Sequence, residues 1–117
     1  MIKPGVDLRG LSPIWGVAYP MIQTVFEHYG YACTITSGAD SEHKPKSGRT
    51  SLHYSGLALD FRTKHMAAMD KEKVINAIRG ALSNQFQILF ENVGLPLEHL
   101  HIEWDIKDPE EPETEHV

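Results

Sequence analysis

A chain of 117 residues is long enough for one domain and too short for two with separate cores. Its 41% hydrophobic and 23% charged residues suit an ordinary globular domain, and the lone cysteine, Cys33, excludes an internal disulfide and a multi-cysteine zinc site. The net charge of −5 is carried by the five acids from Asp108 to Glu115; residues 1–107 hold eleven acids against eleven bases, and a neutral body argues against a nucleic-acid partner.

Taken in order, residues 1–11 read as a lead-in with turns at Pro4-Gly5 and Arg9-Gly10. Ser12-Pro13 opens a helix, with Ser at the N-cap and Pro at the first helical position. Ile14, Val17, Ala18, Met21, Ile22, Val25 and Phe26 recur at a spacing of three to four, which makes one apolar face. Pro20 predicts a kink, or a later start near Val17–Tyr19, and Gly30 a C-cap. Residues 31–36 read as a strand, and 37–51, rich in Ser, Gly, Lys and Pro, as a loop. Leu57 to Phe61 alternates as a strand. Ala67 to Leu82 has helical spacing with Asp70 as N-cap, and Phe86 to Phe90 is a short apolar strand. Residues 92–96 form a turn, and Leu100, Ile102 and Trp104 alternate with His101, Glu103 and Asp105 in a last strand. The expected fold class is α+β: a single small domain over residues 1–107, a short, mostly antiparallel sheet packed against two helices. Residues 108–117, acidic and proline-bearing, are expected to be a disordered tail. No apolar run approaches the ~18 residues of a membrane span, and no basic-then-apolar leader opens the chain, so neither a span nor a secretory signal is expected.

Histidine carries the chemistry. In Ser51-Leu52-His53-Tyr54-Ser55-Gly56-Leu57-Ala58-Leu59-Asp60, His53 and Asp60 are seven apart, which on one straight strand puts them on opposite faces. A turn or bulge at Gly56 resets that parity. Ala58 shares the face of Asp60 and leaves room over it, while Leu57, Leu59 and Phe61 turn to the core. In Glu98-His99-Leu100-His101-Ile102-Glu103-Trp104, His99, His101 and Glu103 share one face, and Glu98 sits at the strand entrance, where a turn swings it over the same face. Two histidines and a carboxylate make a catalytic zinc shell, since zinc in enzymes takes three protein ligands and keeps a fourth position open. Zinc activates water and polarises a carbonyl, and an unligated carboxylate is then needed as general base. His53, Asp60 and His101 are the expected ligands and Glu98 the expected base. Against this stands the plain alternative of a His and an Asp that are merely solvated or hydrogen-bonded in strands.

Ser51 to Asp60 matches in full the Ser-x-His-x-x-Gly-x-Ala-x-Asp signature of the zinc D-alanyl-D-alanine carboxypeptidases and phage L-alanyl-D-glutamate endopeptidases, and Glu98-x-x-His101 is similar to their second motif. Hedgehog signalling domains and lysostaphin-type enzymes share that fold. The resemblance runs loosely from Thr34 to Trp104. It implies a hedgehog-like fold, Zn2+ on His53, Asp60 and His101, Glu98 as base, and hydrolysis of peptide bonds in peptidoglycan stem peptides. It further implies a phage-type endolysin, made in the bacterial cytoplasm and reaching the wall through a holin or as a virion component, and a monomer is expected. One departure stands out. Many relatives carry an arginine soon after the Thr-Ser-Gly turn, whereas here Thr36-Ser37-Gly38-Ala39 leads to Asp40, and an acid cannot stabilise an oxyanion. His43 is the expected substitute, with Arg49 and Arg62 behind it.

The other singled-out residues read plainly. His28 is expected to be a helix-end residue, His65 and His116 surface and tail residues, and His99 a hydrogen-bonding partner behind the metal ligands or a substrate contact. Cys33 is expected to be buried and inert, Trp15 and Tyr19 to be core, and Lys44, Lys46 and Arg49 to be a solvated basic loop. Two alternatives remain open: a non-catalytic zinc module of the same fold, and a small metal-dependent nuclease, which the neutral body disfavours.

Overall fold

The computed structural model describes residues 1–38 and 56–104. His43, Arg49, His53, most of the predicted 37–51 loop and the 108–117 tail lie outside the described residues. The elements run α1 (Trp15–His28), β1 (Ile35–Ser37), β2 (Ala58–Arg62), α2 (Ala68–Ala81), β3 (Phe86–Glu91) and β4 (His99–Trp104). The four strands form one antiparallel sheet in the order β1-β2-β4-β3, so the protein is α+β. Among the described residues no helix is long and apolar enough to cross a membrane.

Helix α1 starts later than Ser12-Pro13 suggests. The amides of Trp15 and Gly16 donate to Ser12 and Pro13 carbonyls at 3.1 and 3.0 Å, so this dipeptide forms a tight three-residue turn that feeds the helix. Pro20 does not delay the helix; it lies inside it. The lost hydrogen bond and ring clash cost ~3 kcal/mol. Burying Ile22 and Phe26 on the same helix returns about 1.5–3 kcal/mol for each side chain, which outweighs that cost. The exit follows the expectation for Gly30, whose φ is +85°. Its amide donates to the Glu27 carbonyl at 3.0 Å and the Tyr31 amide to the Phe26 carbonyl at 2.9 Å, the paired bonds of a Schellman cap.

That cap shortens the first strand. Residues 31–36 were expected to be extended, but Tyr31 belongs to the helix exit and only Ile35–Ser37 pair with β2. The Tyr31 hydroxyl instead donates to Asp70 Oδ2 at 2.5 Å and accepts the Ala67 amide at 3.1 Å. Asp70 is therefore not the N-cap of α2. Ala67 holds that position, and the Asp70 carboxylate stands in the first turn, where the helix dipole favours an anion.

The core lies on one side of the sheet. Leu59 and Phe61 of β2 and Leu100 and Ile102 of β4 are buried with Trp15, Ile22 and Phe26 of α1 and Val74, Ile75 and Ile78 of α2. With side chains alternating along each strand, Asp60 and His101 project to the opposite face. The fold thus separates an apolar helix side from a polar face that carries the histidines.

Candidate metal centre

Strands β2 and β4 are adjacent and antiparallel, and their register pairs Ala58 with Glu103, Asp60 with His101, and Arg62 with His99. Directly opposed residues of such a pair have Cβ atoms about 4.5–5.5 Å apart, so Asp60 and His101 must meet. His101 Nδ1 lies 2.8 Å from Asp60 Oδ1. The other ring nitrogen, Nε2, lies 2.8 Å from Glu103 Oε1. The imidazole is thus fixed at both ends by carboxylates. Burial alone would lower its pKa, but the hydrogen bonds and charges of Asp60 and Glu103 overcome that and raise it to about 9. Asp60 is buried at 4% exposure.

His99 stands on the same face, one pair along. Its Nε2 lies 2.9 Å from Glu91 Oε1 and 3.8 Å from Asp60 Oδ1, and its Nδ1 lies 2.8 Å from the Leu97 carbonyl oxygen. Glu91 pairs with His99 across β3 and β4, a partnership that sequence spacing alone could not reveal. Arg62 is exposed on this face beside His99.

Glu98 was expected to swing over the histidine face. Both of its carboxylate oxygens are instead engaged by other groups. The Thr63 hydroxyl donates to Oε2 at 2.6 Å, the Gly94 amide to Oε1 at 2.9 Å, and the Lys71 ammonium lies 2.8 and 3.0 Å from the two oxygens. The Glu98 side chain is 1% exposed and that of Lys71 is 19% exposed. Burial works to raise the carboxyl pKa, but the bonds from Lys71, Thr63 and Gly94 prevail and hold it below its usual range. Thr63 and Lys71 were not identified from the sequence. Thr63 follows Phe61 by two and so shares its core-side parity; nothing in the spacing of α2 singles out Lys71.

Zinc bonds of about 2.0–2.1 Å in a tetrahedron put neighbouring ligand atoms ~3.3 Å apart. The 2.8 Å between Asp60 Oδ1 and His101 Nδ1 opens to that value with a side-chain shift of about half an ångström. Glu103 on Nε2 is the outer partner that orients a ligating imidazole. The residues present therefore fit zinc as two of three ligands. Among the described residues no group of three His, Cys, Asp or Glu side chains is disposed to hold a metal, and the third expected ligand, His53, lies outside them.

Gly56 takes a turn conformation, while His53, the other end of the parity argument, lies outside the described residues. Its φ is +76°, and a Cβ on it would meet the Gly10 carbonyl oxygen at 2.1 Å. Cys33 is buried at 3% exposure and desolvation pushes its thiol up to about 12, as expected for an inert cysteine, although it precedes β1 rather than lying in a strand. Compared with family models, with curated proteins and with solved structures, the chain matches none.

Proposed function

We propose that the protein is a zinc metallopeptidase that hydrolyses peptide bonds in peptidoglycan stem peptides, as an endolysin of the L-alanyl-D-glutamate endopeptidase or D,D-carboxypeptidase type. The observation that carries the reading is the juxtaposition of Asp60 and His101: two residues 41 apart in the chain, each the last ligand position of its motif, with ligand atoms 2.8 Å apart. His53, Asp60 and His101 would hold the metal. When bound, zinc supplies Lewis acidity toward a substrate carbonyl and a nucleophile at neutral pH. Glu103 keeps the His101 ring in its ligating orientation. His99, tethered to Glu91 and to the Leu97 carbonyl, borders the approach to Asp60, and Arg62 offers a cation on the same face for the carboxylates of a stem peptide. Glu98 is the motif's base, and to take a proton it must first part from Lys71.

A second reading, a zinc-binding module without turnover, is favoured by one observation: the Glu98 carboxylate is saturated by three donors and buried. Incubating the full chain with purified peptidoglycan separates the two. The peptidase reading expects soluble fragments with new peptide termini, lost on chelation and restored by zinc. Zinc bound with no fragment released would leave the module reading standing.

A further inference from the structure

Between α2 and the β3–β4 connection lies a cavity of about 550 Å³, on the helix side of the sheet and away from the histidine face. Its floor is apolar. Ile75 is buried there, and Phe90, which pairs with Leu100 across β3 and β4, points to the same side. Val93 lines it from the turn and is 58% exposed, at a place where turn chemistry favours polar residues. The two walls are tied together. The Glu98 carboxylate takes the Lys71 ammonium of α2 at 2.8 Å and the Gly94 amide of the turn at 2.9 Å, so the gap between helix and turn is set before anything enters it.

Two cations line this space, and they differ. Lys71 is spent on both Glu98 oxygens, at 2.8 and 3.0 Å. The Arg79 guanidinium makes two long contacts to neutral acceptors, 3.3 Å to Asn76 Oδ1 and 3.4 Å to the Ile88 carbonyl oxygen, and among the described residues no carboxylate pairs with it. A guanidinium offers five N–H donors in a planar fork that matches a carboxylate. Glu72 also faces the cavity, but it stands about 10 Å along the helix from Arg79, beyond the ~8 Å over which physiological salt screens a charge. An anion is therefore favoured at the Arg79 end and opposed at the Glu72 end. We propose that the cavity is a binding site for a small carboxylate on an apolar stem, with the acid on Arg79 and the stem over Ile75, Phe90 and Val93. The volume falls within the roughly 300–1,000 Å³ of small-molecule sites. The apolar floor accepts a hydrocarbon of either charge state, and the Arg79 fork selects the anion. Glu98 enters only as the brace between the walls, so the site stands or falls independently of the metal reading.

The test titrates the isotope-labelled full chain with three probes, octanoate, octan-1-ol and acetate, and follows the assigned amides of Val93 and Gly94 by NMR. Octanoate is expected to shift both amides saturably at millimolar concentration. Octan-1-ol, which keeps the stem and loses the charge-assisted bonds, is expected to bind about tenfold more weakly, and acetate, which keeps the acid and loses the stem, to give no saturation in the same range. Arg79→Gln is expected to weaken octanoate about tenfold, to the level of octan-1-ol, and to leave octan-1-ol unchanged. Val93→Asn, at an exposed position, is expected to weaken both eight-carbon probes together. No saturable shift with octanoate overturns the assignment. So does octan-1-ol binding as tightly as octanoate, or an Arg79→Gln variant that binds octanoate within twofold of wild type. Octanoate shifts confined to His99 and His101 also overturn it, because the acid would then be drawn to the histidine face. The comparison of the three probes on wild type decides the case even if a variant does not fold.

Discussion

Replacing Glu98 with glutamine tests the part of the site where motif and geometry diverge. The amide keeps the shape but not the charge. It leaves the Lys71 ammonium without its counter-ion and turns an NH2 group toward donors from Thr63, Lys71 or Gly94. Removing one partner of a buried ion pair costs about 3–5 kcal/mol. Lys71 retains some access to solvent and can swing outward, which brings the expectation down to about 2–4 kcal/mol. For a domain of this size that is a fall in melting temperature of roughly 10–20 °C. The effect also has a pH signature. The folded-state pKa of Glu98 lies below the ordinary glutamate value of 4.5, so between the two values the unfolded chain binds more protons and stability rises with pH. The carboxylate's contribution is full above the unfolded pKa and is lost as pH falls through the folded one. Denaturant unfolding at pH 7 should therefore separate wild type from Glu98→Gln by the whole amount, and the gap should close as the pH drops below 4.5. A variant within about 0.5 kcal/mol of wild type at pH 7 would refute the claim that the carboxylate braces α2 against the β3–β4 connection. The same protein reports on chemistry. If zinc stays bound and turnover falls by 10²–10⁴-fold, Glu98 also serves as base.

Metal analysis should find one zinc in wild type and loss of most of it in His53→Ala and in His101→Ala; full occupancy in either variant would sink the ligand assignment. Among His43→Ala, Arg49→Ala and Arg62→Ala, turnover of a stem-peptide substrate should fall most in His43→Ala, by roughly 10²-fold with zinc retained. A larger fall in Arg62→Ala would move the oxyanion donor to the end of β2. Cys33, its thiol raised to about 12 by burial, should resist alkylation in the native protein and react only on unfolding; rapid native labelling would contradict its packing. Gly30→Ala forces a side chain into φ +85° and should cost about 1–2 kcal/mol, read as a lower denaturant midpoint, with no change in metal content.

Periodicity made the fold legible wherever one element answers to one core. Ile22 and Phe26, or Val74, Ile75 and Ile78, announce a buried helix face by spacing alone, and they are buried together. Legibility failed where a residue serves two elements. Tyr31 has strand propensity, yet its amide closes α1 and its hydroxyl binds the start of α2, so the strand begins four residues later. Asp70 has cap chemistry, but its partner is that same hydroxyl, 39 residues away. Pro20 obeys its local rule less than its neighbours obey the core, because the burial of Ile22 and Phe26 outweighs one missing hydrogen bond. For Asp70 and Pro20 the deciding contacts are long-range and no local window contains them; for Tyr31 a local cap acts together with a hydroxyl bond 39 residues away.

The polar face follows the same logic one level up. A period of two puts His99, His101 and Glu103 on one side of a strand, and Ala58 with Asp60 on one side of another. Register then decides whether the two rows meet, and only pairing supplies it: Asp60 falls opposite His101 and not one step away. A slip of a single residue would have set Asp60 against an apolar neighbour and dissolved the centre. Parity also accounts for Glu98. It lies an even step from Leu100 and Ile102, so a strand that continues without a twist sends its side chain to the helix side, where Thr63 and Lys71 meet it. The motif spacing Glu98-x-x-His101 locates the residue along the chain, but three is an odd step and carries it across the sheet. The carboxylate that the motif nominates as base and the imidazole nominated as ligand therefore start from opposite sides of β4. Proton transfer between Glu98 and the His101 face requires the 97–99 backbone to rotate and the Lys71 pair to open, whereas His99 already borders Asp60 on the histidine side.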